Sequence, residues 1–297
     1  MKSTNIWTFK YEPQEFDDII LNETIKPQLK KALVEIPNLM LSGPPGVGKG
    51  TFTNIFLKVT KLDFIKINCS DETGIDNLRT KVKSFAQSLG TSDLKVVVMN
   101  EADFLSLSAQ SMLRDLLEQV QKITRFLFQC NYPNRIIKEI HSRCQVIEIN
   151  NPPAKEIFSH CLNILEKEHI KIKDKRVIVE LIKTLYPDIR KTINTLQLNT
   201  INGILDSISI DTINENFTNI LTFMKKGDLE SIRRVLRSNV INYVDLYSYL
   251  FDNVDKFKSP GDAILSIGEY LYRDSLIAIK EINFMTMVVS MMKNGVI

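Results

Sequence analysis

The sequence is poor in the residues that build metal clusters and disulfide frameworks. Its 297 residues include only four cysteines and three histidines. The cysteines lie far apart and form no Cys-x-x-Cys pair: Cys69, Cys130, Cys144 and Cys161. His160 precedes Cys161, but adjacent helical residues point in different directions and no second pair supplies further ligands. The pattern predicts neither a zinc site nor disulfides and is typical of a reducing compartment.

Long apolar runs and a strong charge imbalance are also missing. The longest apolar run, Phe284 to Met292, is shorter than a membrane span, and no signal-peptide pattern opens the chain. The 38 basic and 35 acidic residues leave a net charge of +3, too small by itself to indicate nucleic-acid binding. With 44% hydrophobic residues, we expect a soluble intracellular protein with no membrane partner and two or three folded domains.

Between Leu39 and Ile149, short apolar runs alternate with amphipathic, helix-like stretches. Such alternation predicts an α/β domain with a parallel sheet covered by helices on both faces. The sequence Asn-Asn-Pro-Pro at Asn150–Pro153 breaks the pattern, and everything beyond it is predicted to be helical. We therefore expect domains at 1–150, 151–205 and 206–297, the second and third all-helical.

The strongest motif lies between a predicted strand and a predicted helix and reads Gly-Pro-Pro-Gly-Val-Gly-Lys-Gly-Thr. In that context glycines let backbone N–H groups turn toward phosphates, and the helix N-terminus adds a positive dipole. The lysine reaches the outer phosphates. The motif predicts ATP binding by its nine residues: Gly43, Pro44, Pro45, Gly46, Val47, Gly48, Lys49, Gly50 and Thr51.

Two positions depart from the usual P-loop chemistry, and both concern magnesium. The residue after the lysine normally offers a hydroxyl to Mg²⁺ but is Gly50 here, and Thr51 is turned about 100° away on a helix. The apolar run Val96–Met99 ends in Asn100 where a carboxylate is usual, followed by Glu101, a candidate base. We predict ATP and Mg²⁺ as cofactors, with Asn100 in the nucleotide site, Mg²⁺ binding weakened and no residue assigned as a metal ligand.

Two later motifs complete a family pattern: Cys-Asn-Tyr at Cys130–Tyr132 and Ser-Arg-Cys at Ser142–Cys144. With the P-loop and Asn-Glu-Ala-Asp, in this order and spacing, the sequence resembles the small subunits of replication factor C and the ATPase subunit of bacteriophage clamp loaders. The likeness covers roughly the first two hundred residues and extends to three further segments: Lys10–Pro13, Asn68–Glu72 and Asp188–Lys191.

The resemblance implies an AAA+ P-loop domain, a helical lid and an all-helical collar that holds a ring of subunits together. It implies that Asn131 senses the γ-phosphate and that Arg190, in the lid, is a second sensor. It also implies that Arg143 is an arginine finger for the neighbouring subunit's site. Glu12 departs from the arginine usual in the N-terminal motif.

The implied DNA contacts come from a helix that begins near Ile75 and from the helix that follows the Asn-Glu pair. Basic side chains along a helix suit phosphate contacts without base reading, although a solvated helix face explains the same pattern. Gln110 lies where the family couples DNA to the nucleotide site. The residues predicted to bind DNA are Ile75, Arg79, Lys81, Lys83 and Arg114.

The implied function is ATP-dependent loading of a sliding clamp onto primer–template DNA, within a hetero-oligomeric ring expected to be a pentamer. The partners are then the other loader subunits, the clamp and the DNA. Two alternatives remain. The subunit holds nucleotide passively while Arg143 serves a neighbour, or it is a nucleoside monophosphate kinase, since Gly-Lys-Gly-Thr resembles that P-loop. The kinase needs an arginine-rich lid, which the sequence after Glu101 does not show.

Overall fold

The computed structural model describes residues 5–71, 74–88, 90, 92–201, 203–205, 210–238, 241–274 and 276–297. The chain forms two compact units, Met1–Ile208 and Ser209–Ile297. The first contains the parallel sheet with its helices and then a smaller, mainly helical region. The predicted fold class is confirmed.

Five parallel strands form the main sheet, in the order β2-β3-β4-β1-β5. Their bounds are β1 (Leu39–Ser42), β2 (Asp63–Asn68), β3 (Lys95–Asn100), β4 (Thr124–Cys130) and β5 (Gln145–Glu148). Each corresponds to one of the predicted apolar runs. Since the strands are parallel, the segments that follow them lie along one edge of the sheet.

Six helices accompany these strands: α1 (Trp7–Lys10), α2 (Lys26–Glu35), α3 (Lys49–Thr60), α4 (Ile75–Gln87), α5 (Leu107–Gln119) and α6 (Lys138–His141). Side chains alternate between the two faces of the sheet. Leu41 packs in one apolar cluster with Phe56 of α3, and Met40 packs in the other with Leu113 of α5. This burial on both faces explains why the strands read as continuous apolar runs.

The smaller region of the first unit contains α7 (Ala154–Lys167), α8 (Arg176–Leu185) and α9 (Ile189–Leu198). The buried face of α7 is formed by residues at helical spacing, Ile157, Cys161, Ile164 and Leu165. The prediction of helices alone was wrong, because β6 (Lys171–Ile172), β7 (Thr200–Ile201) and β8 (Ile204–Leu205) form a small sheet. Two-residue strands carry no periodicity from which a sequence could reveal them.

The second unit is built from α10 (Ile210–Lys226), α11 (Leu229–Ser238), α12 (Tyr243–Asp252), α13 (Pro260–Asp274) and α14 (Lys280–Lys293). The described residues of this unit contain helices and no strand, as predicted. Its core is one cluster centred on Tyr247 and Phe284, whose rings lie 5.7 Å apart. In the part of the chain that the structure describes, no helix is long and apolar enough to cross a membrane.

Candidate nucleotide site

The predicted nucleotide residues meet at the carboxyl edge of the main sheet. The P-loop follows β1, Glu101 follows β3 and Asn131 follows β4. Neighbouring strands end level with one another, since Ser42 pairs with Cys130 and Asn68 pairs with Asn100. The sheet therefore brings together side chains that are far apart in sequence, at the edge where parallel sheets bind ligands.

Lys49 is the best-anchored side chain of the site. Its Nζ donates to the Gly43 oxygen at 2.6 Å, the Pro44 oxygen at 2.7 Å and Asn131 Oδ1 at 2.9 Å. Burial is the main cause that lowers the pKa of Lys49, and the charges of Asp103 and Arg190 act on it in opposite directions. A partly desolvated ammonium group gains most from an anion, which suits phosphate binding.

Two P-loop glycines are required by close backbone approach. Gly43 has a φ of 143°, and a Cβ there would lie 2.0 Å from the Ile149 oxygen. Gly46 has a φ of 74°, and a Cβ there would lie 1.8 Å from Asp188 Oδ1. Asp188 caps α9 by accepting from the Lys191 N–H, and the Ile189 N–H donates to the Gly46 oxygen at 3.2 Å. The loop and α9 are thus in direct contact.

Two cavities flank the loop. The polar cavity has a volume of about 470 Å³, and the apolar cavity has one of about 380 Å³. Arg190 lines both cavities, as do Gly46 and Gly48. The polar cavity is further lined by Pro45, Lys49, Gly50, Asn54, Lys66, Asn68, Asn100, Glu101, Gln129, Cys130 and Asn131.

The apolar cavity lies between the N-terminal segment, the P-loop and α9. Its walls include Tyr11, Val47, His160 and Ile193. Burial lowers the pKa of His160, so the ring is neutral at pH 7 and suits an uncharged ligand group. Thr51 also lies here, as expected from its turn away from Gly50. Seven of the nine predicted P-loop residues therefore line one or both of these cavities, Lys49 and Gly50 on the polar side and Val47 and Thr51 on the apolar side.

Glu101 has an unusual backbone conformation, and Asn131 lies in a loop that is held by a buried carboxylate. Glu101 has a φ of 54°, in the left-handed region that non-glycine residues seldom adopt and that is concentrated at functional sites. Asp103 is buried, and its Oδ2 accepts from the Tyr132 N–H at 3.2 Å, which fixes the loop that carries Asn131. Burial raises the pKa of the Cys130 thiol to about 12, so Cys130 lines the cavity as a neutral group.

The residues present fit Mg²⁺ poorly. Gly50 has no hydroxyl, Thr51 lines the other cavity, and Asn100 offers an uncharged Oδ1 that is buried without a hydrogen-bond partner. Mg²⁺ is bound in proteins mainly through carboxylates, and among the described residues that line the polar cavity only Glu101 has one. No group of three or more His, Cys, Asp or Glu in the described parts of the chain could hold a metal ion.

A chain of three side chains was missed in the sequence: Lys66 and Asn54 line the polar cavity, and Glu12 lines the apolar one. Glu12 Oε1 accepts from Asn54 Nδ2 at 3.0 Å, and Lys66 Nζ donates to Asn54 Oδ1 at 2.8 Å. Glu12 departs from the family's usual arginine and contacts α3 as an acceptor. The contact joins β2 to α3 through side chains, whose orientation no periodicity in the sequence reveals.

Comparisons with known proteins match both parts of the first unit. A family model described as "Sliding-clamp-loader large subunit, AAA+ ATPase lid domain" matches residues 150–210, and the AAA model, "ATPase family associated with various cellular activities", matches 39–151. The replication factor C small subunit of Archaeoglobus fulgidus is 33% identical over 273 residues, 86% of this chain and 85% of the relative. That of Natronomonas pharaonis is 35% identical over 247 residues, 78% and 76% of the two chains.

This chain belongs to the replication factor C small-subunit family. The predicted resemblance is confirmed, and the first unit contains an AAA ATPase domain. Among solved structures, a RuvB protein of Thermotoga maritima is similar with a TM-score of 0.58 at 16% identity, over 81% of this chain and 85% of that one. At that identity the likeness concerns the fold alone.

The family's implied arginine finger lies outside both cavities of its own chain. The Arg143 guanidinium binds the Glu118 carboxylate and donates to the Glu139 oxygen at 2.8 Å. Its side chain is about one-third exposed, at 32%. Arg143 is therefore held near the surface by one carboxylate and by oxygen atoms close to it in sequence, away from the residues that line the polar cavity.

The two family positions on α5 differ in their surroundings. Gln110 is buried, donates to the oxygens of Leu105 and Arg135, and accepts from the Ile137 N–H. Its side chain connects the loops around α5 by hydrogen bonds and is too buried to contact DNA. Arg114 is partly exposed and pairs with Asp115 at 2.9 Å.

The basic residues of α4 are not on one face of the helix. Ile75, Arg79 and Lys83 follow one another at intervals of four, whereas Lys81 is turned by about 200° from Arg79. Leu78, Val82 and Ala86 form the buried face. Any phosphate surface on this helix is therefore centred on Arg79 and Lys83.

Proposed function

We propose that this protein is a nucleotide-binding subunit of a sliding-clamp loader, which uses ATP to place a clamp on primer–template DNA. One observation carries the proposal: Lys49, Glu101, Asn131 and Arg190 line a single polar cavity at the sheet edge, while Arg143 lies outside it. Four groups from four segments of the chain converge on a space that suits a triphosphate.

Within the cavity each group has a separable task. Lys49 and the P-loop N–H groups hold the phosphates, and Asn131, already bound to Lys49, senses whether the outer phosphate is present. Glu101 orients a water molecule for attack. Arg190 extends from α9, whose start contacts Gly46, so nucleotide binding and the position of α7–α9 are coupled.

Further roles follow from the family and concern assembly. Residues 151–205 serve as the lid and 206–297 as the collar that joins subunits in a ring, expected to contain five. Arg143 completes the nucleotide site of the adjacent subunit, where a fixed positive charge stabilises the transferring phosphoryl group. Arg79 and Lys83, with Arg114, contact the DNA backbone inside the ring. The partners are the other subunits, the clamp and the DNA.

A second candidate function is favoured by the residues around Gly50. A subunit without the hydroxyl and the carboxylate that usually hold Mg²⁺ is suited to holding nucleotide, while hydrolysis takes place where its Arg143 completes another site. Both versions share the ring, the clamp and the DNA. Membership in the replication factor C family argues against the nucleoside monophosphate kinase alternative.

The test uses the complete loader, purified with the partner subunits and clamp of the same source. ATP should make the clamp remain on primed circular DNA after a high-salt wash, and primed DNA should stimulate phosphate release. A loader that retains no clamp, despite verified assembly, would contradict the proposed function. The double variant Gly50→Thr and Asn100→Asp restores the usual hydroxyl and carboxylate, and it separates the hydrolysing subunit from the nucleotide-holding one. Phosphate release should rise in this variant only if the native site is impaired.

A further inference from the structure

The charge of the polar cavity suggests how its nucleotide is bound. Among the described residues that line it, three side chains are cationic and one is anionic: Lys49, Lys66 and Arg190 against Glu101. A site that uses Mg²⁺ needs carboxylates to balance the metal and fewer protein cations to balance the phosphates. In this cavity cationic side chains outnumber carboxylates, since Asn100 is neutral and Lys66 adds a positive charge.

Lys66 is held at this rim by a defined set of contacts. Its Nζ donates to Asn54 Oδ1 at 2.8 Å, and the Asn54 amide is oriented by its donation to Glu12 at 3.0 Å. Asn54 lies four residues after Gly50 on α3, so both are on one face of the helix. The Lys66 ammonium therefore binds a side chain that begins about one helical turn from Gly50, where a P-loop hydroxyl would stand.

The groups around Gly50 are acceptors or neutral. Asn100 Oδ1 is buried and has no hydrogen-bond partner, and a Cβ on Gly50 would meet Gln129 Oε1 at 4.0 Å. Amide oxygens without a carboxylate are weak ligands for Mg²⁺, but they accept well from an ammonium group or a water molecule. This part of the cavity suits a lysine side chain better than a divalent metal ion.

We propose that this site, given the nucleotide binding of the proposed function, takes the triphosphate as the metal-free anion, with Lys66 supplying the positive charge that Mg²⁺ normally provides. The inference concerns binding and derives from the misfit of the cavity to a metal. It assigns Lys66 as a nucleotide-binding residue and Asn54 as the residue that positions it.

The experiment measures ATP affinity of the full-length chain by calorimetry, once with excess Mg²⁺ and once with EDTA. The Kd in EDTA should equal or fall below the Kd in Mg²⁺, because chelation of Mg²⁺ leaves the anion that the cavity prefers. Lys66→Met should raise the Kd in EDTA by about 10- to 100-fold, the range for one lost hydrogen bond to a charged group. Lys66→Arg should retain most of the affinity.

Two further variants complete the design. Lys122→Met removes an exposed lysine from the turn before β4, outside the cavity, and should leave both Kd values unchanged. The double variant Gly50→Thr and Asn100→Asp restores a hydroxyl and a carboxylate, and should make binding weaker in EDTA than in Mg²⁺. Gly50 is helical and a Cβ at this position would make only an ordinary van der Waals contact, so the added side chain fits.

The outcomes separate this inference from the function on which it rests. Binding by the native chain that needs Mg²⁺ and is lost in EDTA would overturn the inference and leave the clamp-loader proposal intact. Equal affinities of Lys66→Met and the native chain in EDTA would overturn the role of Lys66. Absence of ATP binding under both conditions by a folded chain would contradict the proposed function as well.

Discussion

The polar cavity and the outer surface of the first unit hold their candidate residues in different ways. Lys49 is partly buried and bound to two backbone oxygens and to Asn131, all placed by the ends of two adjacent strands. Arg143 is held mainly by one carboxylate and one carbonyl near the surface. The cavity is thus formed within one chain, whereas the surface residues acquire their proposed roles only through partners. Substitutions in the two regions should differ accordingly.

The largest effect is expected at Lys49. Lys49→Ala removes the cation at the centre of the P-loop and should abolish measurable ATP binding, because phosphate contacts with a partly desolvated charge are among the strongest in such sites. Lys58→Ala is the matched control, since Lys58 lies on the same helix but donates to the Gln14 oxygen outside the cavity. Fluorescent-nucleotide titration measures both. Unchanged affinity in Lys49→Ala would remove the P-loop assignment.

The next effect is expected at Arg143 and only in the assembled ring. Arg143→Ala should leave ATP binding by its own chain nearly normal and reduce hydrolysis at the affected sites by ~10³-fold or more, as for removal of an arginine finger. Arg176→Ala, which breaks an exposed pair with Asp174, should have almost no effect. DNA-stimulated phosphate release is the measurement. If Arg143→Ala reduces phosphate release as little as the control does, Arg143 forms only a surface ion pair and is not an arginine finger.

Mixing subunits tests whether the site is shared, provided that the ring contains several copies of this chain. Protomers with Arg143→Ala and protomers with Lys49→Ala should regain some activity together, since an intact P-loop can then face an intact finger. A mixture as inactive as either variant, with ring assembly verified by mass measurement, would contradict the shared interface.

The way in which each residue is held also decides whether its place in the site could be predicted from the sequence. Lys49, Asn100 and Glu101 could be assigned from the P-loop motif and from the polar residues that follow a predicted strand, because the ends of parallel strands must meet at one edge. Lys66 and Asn54 could not, since their contact joins an edge strand to a helix through side chains whose orientation no periodicity reveals. Gln110 is a further example. Family position predicts that it couples DNA to the nucleotide site, while its burial and its three contacts with the loops around α5 are visible only in the fold.

A smaller effect is expected on DNA affinity from α4. Reversing Arg79 and Lys83 to glutamate should weaken primer–template binding and reduce the salt slope by about 1 for each lost phosphate contact. Lys81→Glu, on another face of the helix, should change the slope less. Binding by the assembled loader, titrated at several salt concentrations, distinguishes these variants. If the salt slopes of all variants equal that of the native loader, the basic residues of α4 are a solvated helix face and do not bind DNA.

The smallest effect is expected where the N-terminal segment contacts the lid. Tyr11 donates to Glu168 Oε1 at 2.6 Å, and hydrogen bonds from Lys10 and Tyr11 lower the pKa of the Glu168 carboxyl. Tyr11→Phe should cost the first unit about 0.5 kcal/mol, the low end for one hydrogen bond near solvent. Because the folded-state pKa is lowered, this stabilisation is present above the ordinary value of 4.5 and is lost as the pH falls through the lowered value. Urea unfolding at pH 7 and below pH 4.5 should show that the difference in unfolding free energy between Tyr11→Phe and the native chain shrinks on acidification.

In a Glu168→Gln background, Tyr11→Phe should cost less unfolding free energy at pH 7, since the charged acceptor is already gone. A difference that stays constant with pH and background would show that Tyr11 acts through its ring, which lines the apolar cavity, and not through its hydroxyl.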